Sequence, residues 1–143
     1  MLKLGLPSKD FVLDEFSSGN ENGKARFVYM YEGFSAFDNY IVFGFNTKGI
    51  EVMNLRHLNA NGFSDKTMGI IPVHSILINN IDNYGLTSKV IENIDFGFKN
   101  VTPRSYEEGE IMKIESHSPV WRIKFTDKNE HFFYLAETGE RLY

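Results

Sequence analysis

The residues of this chain able to carry chemistry are few and poorly grouped. Four histidines, His57, His74, His117 and His131, are scattered, with no H-E-x-x-H pair and no carboxylate beside them at metal-ligand spacing. Thiolate nucleophiles, disulfides and Cys-ligated zinc are excluded because the chain has 0 cysteines. No Gly-Lys-Ser/Thr phosphate loop, G-x-G-x-x-G turn or G-x-S-x-G elbow occurs, so nucleotide binding and acyl transfer lack their motifs. Asp14, Glu15, Glu32, Asp38 and Asp95 could supply a carboxylate pair for glycoside hydrolysis, which would require two of them facing across a cleft. With 19 acidic residues in the chain such pairs arise on paper without purpose, and solvated charge is the simpler reading. The Glu107-Glu108-Glu110 run lacks the order of a calcium loop, and Asn100-Val101-Thr102 is a glycosylation triplet followed at once by Pro103. The expectation is a chain with no catalytic residues, no metal and no cofactor.

The elements that would position any site are mostly strands. Phe11 to Phe16 and Lys24 to Tyr31 flank a polar, Gly-containing loop and predict a hairpin, with Ala25, Phe27, Tyr29 and Tyr31 on one face. Tyr40 to Phe45, then Asn46-Thr47-Lys48-Gly49, then Ile50 to Leu58 predict a second hairpin, its glycine placed where a left-handed residue is needed. Asn59 to Gly69 has no period and reads as a connection. Val73, Ile76, Leu77, Ile81 and Tyr84 recur at helical spacing, predicting one amphipathic helix over Pro72 to Tyr84, with Pro72 in the first turn and Gly85 after the end. A fifth strand follows over Lys89 to Phe98. Asn100 to Ser118 is a long loop, with a short strand conceivable at Ile111 to Ile114. Val120 to Phe125 and His131 to Ala136 form a closing hairpin, in which Trp121 shares a face with Ile123 and Phe125 as core. The aromatic stretch Phe132-Phe133-Tyr134 could alternatively present a peptide-binding edge. This plan predicts an α+β fold: a mainly antiparallel sheet of β-hairpins with one amphipathic helix packed on it.

At 143 residues and 16.5 kDa, with 42% apolar residues and 13 Phe, 7 Tyr and 1 Trp, the chain can bury its own core as a single compact domain. Fifteen basic against 19 acidic residues give a net charge of −4, and no basic cluster exists to track phosphates, which argues against nucleic acid. No stretch approaches the ~20 apolar residues that span a bilayer, and MLKLGLPSKD is too short and polar for a signal peptide, so the chain is expected to be soluble as it stands.

The closing segment, Pro119-Val120-Trp121-Arg122-Ile123-Lys124-Phe125 and then Phe133-Tyr134-Leu135-Ala136-Glu137-Thr138-Gly139-Glu140, resembles the closing hairpin of PepSY-type domains. The order of elements before it includes the aromatic strand Phe27 to Tyr31, then Gly33 and Phe37-Asp38-Asn39. The turn at Asn46 to Gly49, the helix, the strand Val90 to Phe98 and the long loop follow. From about Asp10 to Glu140 this order is similar to the ectodomain of YycI, one of the paired YycH/YycI accessory proteins of an essential sensor histidine kinase in Gram-positive bacteria. The resemblance implies two PepSY-like units, a β-hairpin unit over 9–60 and a helix-plus-strands unit over 70–143. It implies a non-enzymatic, extracytoplasmic interaction domain whose partners are a YycH-like protein and the kinase, singly or as a homo- or heterodimer. Family members carry a transmembrane anchor that is absent from this sequence. The alternative is an exported PepSY-like domain that binds peptide or restrains a peptidase. Apolar residues stranded in loops, Phe63, Met68, Tyr106, Ile111 and Met112, are the candidate partner contacts, with burial under the same loops as the other reading.

Overall fold

The structure is a computed structural model and describes residues 8–80, 88–101, 116–126 and 130–143. Strands dominate. After a 3₁₀ turn at Ser8–Asp10 come β1 (Phe11–Ser18), β2 (Asn22–Tyr31), β3 (Phe34–Asn46) and β4 (Gly49–Arg56). The helix α1 (Val73–Asn80) follows, then β5 (Ile91–Asn100), β6 (His117–Phe125), β7 (His131–Leu135) and β8 (Arg141–Leu142). The chain divides into two compact units, Met1–Phe63 and Ser64–Tyr143.

The α+β expectation is corrected here to a sheet-dominated fold with one short helix among the described residues. Of the helical stripe read over Pro72 to Tyr84, Val73–Asn80 is helical among the described residues, and Ile76 is the residue it buries. Ile81, Tyr84 and Gly85 lie outside the described residues, as does the conceivable strand at Ile111 to Ile114. The eight described helical residues cover part of one sheet and do not form a layer of their own.

In the first unit β1 pairs β2, β2 pairs β3 and β3 pairs β4, all antiparallel. The β2–β3 connection is a two-residue turn at Glu32-Gly33, with φ of 48° and 84°. Positive φ at both positions is what a turn matching the strand twist requires, and glutamate supplies it at a cost. Replacing Glu32 by asparagine, which tolerates this conformation better, is expected to stabilise the unit by about 0.5 kcal/mol, measurable as a raised urea midpoint at unchanged slope. At the β3–β4 turn the Asn46 side chain accepts a hydrogen bond from Lys48 N at 2.7 Å.

In the second unit β5, β6, β7 and β8 are successive antiparallel neighbours. α1 lies on the face carrying Ile123, Phe125, Phe132 and Tyr134, with Ile76 at the centre of that cluster and Ile71, Val73, Leu77 and Trp121 around it. Burying one isoleucine this fully is worth about 2–3 kcal/mol, which accounts for a short helix being held. Trp121 stacks edge-on against Phe96 at 5.0 Å, and its indole N–H donates to the Ile71 carbonyl at 2.9 Å, tying the approach to α1 onto the sheet.

Candidate functional site

The strand registers of the first unit place its side chains in rows across four strands. Leu13, Phe27, Ile41 and Leu55 form one row, Phe16, Ala25, Phe43 and Met53 the next, and Ser18, Gly23, Phe45 and Ile50 a third. These rows contain no charged residue. The opposite face holds Val12, Val28, Tyr40 and Arg56, then Glu15, Arg26, Val42 and Asn54, then Ser17, Lys24, Gly44 and Val52. Strand alternation thus sorts the unit into an uncharged face and a charged one.

The middle of the uncharged face is packed. Ile41 is fully buried, Phe27 meets Phe43 edge-on at 6.0 Å, and Phe16 stacks on Phe45 at 5.9 Å. The Phe45 ring lies where a Cβ on position 23 would stand, which is why that position is glycine. At one end of the face the segment after β4 folds across it: His57 sits against Phe11 and Tyr29, and Phe63 against Tyr31 and Phe34. The outer strands leave Leu13, Phe16, Ile50, Met53 and Leu55 between 42% and 67% exposed.

Both outer strands are edges, but of different kinds. β1 breaks register at Asp14, whose carboxylate is 3.4 Å from the Arg26 guanidinium, and it goes on to Glu15, the exposed Phe16 and two serines. A bulge and inward charge blunt an edge against further pairing. β4 has β3 as its one neighbour among the described strands, and its register break falls early, at Glu51. From Val52 to Leu55 it carries no charge, and its side chains are exposed on both faces. An exposed apolar edge of this kind is a template for an added strand.

The residues singled out from the sequence sit elsewhere. Phe63 is exposed and packs by its ring on Tyr31 and Phe34; Met68 is half-buried outside any regular element. Tyr106, Ile111 and Met112 lie outside the described residues. The peptide edge considered at Phe132 to Tyr134 is corrected: β7 has β6 on one side, and Phe133 and Tyr134 pair with Leu142 and Arg141 of β8 on the other. Of the carboxylates considered for hydrolysis, Asp14 and Asp95 are engaged with Arg26 and Arg122, and Glu32 is in the β2–β3 turn. Among the described residues no group of three or more His, Asp or Glu side chains is placed to hold a metal ion, and no helix is long and apolar enough to cross a membrane.

The signal that could have pointed to β4 is its own composition. Ile50, Val52, Met53 and Leu55 put apolar residues on both faces of one short strand, more than burial of one face requires.

Comparison with known proteins agrees with the fold. No protein-family model and no curated protein matches the sequence. A solved structure similar to it in fold is the Bacillus megaterium YpeB C-terminal domain, which superposes with a TM-score of 0.57 over 94% of this chain at 10% sequence identity. The chain covers 55% of that structure, about half its length. At this identity the likeness is one of fold, and it does not single out YycI.

Proposed function

We propose that this chain is a non-enzymatic, extracytoplasmic PepSY-like domain that binds a protein partner by taking an extended segment of it along β4. The observation that supports this reading is the β4 edge itself, uncharged from Val52 to Leu55 and open on both faces. Strand addition draws its affinity from main-chain hydrogen bonds and its selectivity from alternate side chains, so it needs no cleft and no catalytic group. Within this class the element order favours an accessory domain of a sensor histidine kinase working with a YycH-like protein; an exported domain that restrains a peptidase uses the same edge with a different partner.

The test is affinity capture from a bacterial envelope extract on the immobilised chain, in parallel with Leu55→Glu and with Ser17→Glu on the β1 edge. The wild type and Ser17→Glu are expected to retain the same identified partner, and Leu55→Glu at least about tenfold less, because a carboxylate would be desolvated at the joint. Equal retention by Leu55→Glu contradicts the reading. Mass-spectrometric identification of a kinase or accessory protein, as against a peptidase, separates the two forms of it.

A further inference from the structure

Asn-Gly, the dipeptide most open to attack of the main chain on its own side chain, occurs twice in the sequence, at Asn22-Gly23 and Asn61-Gly62. Glycine lacks the Cβ that would keep its nitrogen away from the asparagine Cγ. The reaction also requires the peptide plane between the two residues to turn until that nitrogen faces Cγ. The fold treats the two pairs in opposite ways. Gly23 stands opposite Ser18 on β1 and Phe45 on β3, the Asn22 carbonyl accepts from Gly19 N at 2.7 Å, and the Phe45 ring covers the glycine. That peptide plane is held from both sides. Asn61 and Gly62 are exposed, lie outside any helix or strand and make no hydrogen bond to another described residue. Gly62 has a φ of 116°, which keeps the position to glycine, and a Cβ there would meet nothing within 4 Å.

We infer that Asn61 is a site of spontaneous deamidation, spared at Asn22, whose isoaspartate product releases Phe63 from Tyr31 and Phe34. The Gly62 amide gives up its proton to solvent base, and its nitrogen forms a bond to Asn61 Cγ. The Cγ–Nδ2 bond breaks, and Nδ2 leaves as ammonia, taking a proton from water. Water then opens the cyclic succinimide at either of its carbonyls. Opening at Cγ gives aspartate on an unchanged main chain. Opening at the Asn61 carbonyl carbon gives isoaspartate, in which the main chain runs through Cβ and Cγ. The balance is asparagine plus water to aspartate or isoaspartate plus ammonia, with nothing oxidised or reduced.

The place matters because Asn61 lies between two attachments of its segment. Leu58 is gripped by the Asn39 side chain through both its N–H and its carbonyl, and the Phe63 ring packs on Tyr31 and Phe34 at 5.4 and 6.3 Å. Phe63 is 53% exposed, so its ring contacts hold it with little burial. An added main-chain carbon and a new carboxylate act on the weaker of the two attachments.

The experiment ages the full chain and Asn61→Gln, whose longer side chain cyclises far more slowly, at neutral and at mildly alkaline pH. Tryptic peptides His57 to Lys66 and Asp10 to Lys24 are then followed by mass spectrometry, with fragment ions assigning the residue. Isoaspartate and aspartate are expected at Asn61 at least about tenfold faster than at Asn22, where paired strands must first open. The rate should rise with pH, because the attacking amide is the deprotonated one. In NMR spectra of the aged wild type the ring signals of Tyr31, Phe34 and Phe63 are expected to shift, while aged Asn61→Gln keeps them. Equal rates at Asn61 and Asn22, aspartate without isoaspartate, or a rate indifferent to pH overturns the assignment of the reaction. Conversion of Asn61 with those ring signals unmoved, or their equal shift in aged Asn61→Gln, overturns the release of Phe63.

Discussion

Replacing Asp95 by alanine lowers the stability of the second unit by an expected 2–3 kcal/mol. Asp95 on β5 faces Arg122 on β6 across a register pair, and one carboxylate oxygen accepts from both Arg122 Nε at 3.0 Å and Nη2 at 2.7 Å. The arginine side chain is 4% exposed and its partner 25%. Truncating the acid leaves a guanidinium charge inside the sheet with its closest counter-charge gone, which costs far more than the pair itself contributes. The partial exposure of Asp95 and the other contacts of Arg122 keep the figure at the low end of the range for buried pairs. Asp95→Asn, which keeps an acceptor, should cost about half as much. The double change Asp95→Leu with Arg122→Met should recover most of the loss. Urea denaturation of the four proteins checks this. A double variant no more stable than Asp95→Ala would mean that Arg122 is held by packing and not by its charge.

In the first unit, Asn39→Ala is expected to cost about 2–3 kcal/mol. The β2–β3 register jumps from Val28 opposite Tyr40 to Tyr29 opposite Ala36, so Phe37, Asp38 and Asn39 have no partner on β2. That irregular stretch is held from two sides. The Arg26 guanidinium donates to the Phe37 carbonyl at 2.9 Å. The Asn39 amide, 5% exposed, donates to Leu58 O at 2.9 Å and accepts from Leu58 N at 3.1 Å. A side-chain amide here does what a neighbouring strand would do, pinning the segment after β4 that lays His57 across Phe11 and Tyr29. Alanine removes two hydrogen bonds and leaves both Leu58 backbone groups to find water from a half-buried position. Asn39→Asp keeps the acceptor, loses the donor and sets a carboxylate against a carbonyl, so it should be at least as harmful. Amide exchange at Leu58 should accelerate in step with the loss of global stability; unchanged exchange would show that the clamp is dispensable.

Much of the strand pattern was legible because alternation and turn chemistry are local. β1, β2, β4, β6 and β7 follow the stretches where apolar residues alternate, and the Asn46 to Gly49 turn falls where its glycine indicated. The first part of β3, Phe34 to Asn39, was not, because Glu32-Gly33 is a weak turn signal and Phe37-Asp38-Asn39 breaks the period. The helix was legible from its apolar stripe over Val73 to Asn80, and the remainder of the stretch read as helical lies outside the described residues. The candidate edge was sought at Phe132 to Tyr134, where β8 closes it with two residues too few to show a period. Edge status belongs to topology, and an uncharged face belongs to register. Neither can be read from one strand: Met53 and Leu55 acquire their meaning from Phe16, Phe27, Phe43 and Leu13 lying in the same rows.

The most direct test of strand addition at β4 is amide hydrogen exchange, residue by residue, with and without the captured partner. Main-chain pairing is expected to slow exchange at alternate amides between Val52 and Arg56, those directed away from β3, while β1 and the second unit keep their free rates. Binding without any slowing along β4, or with protection appearing on β1 instead, would contradict it.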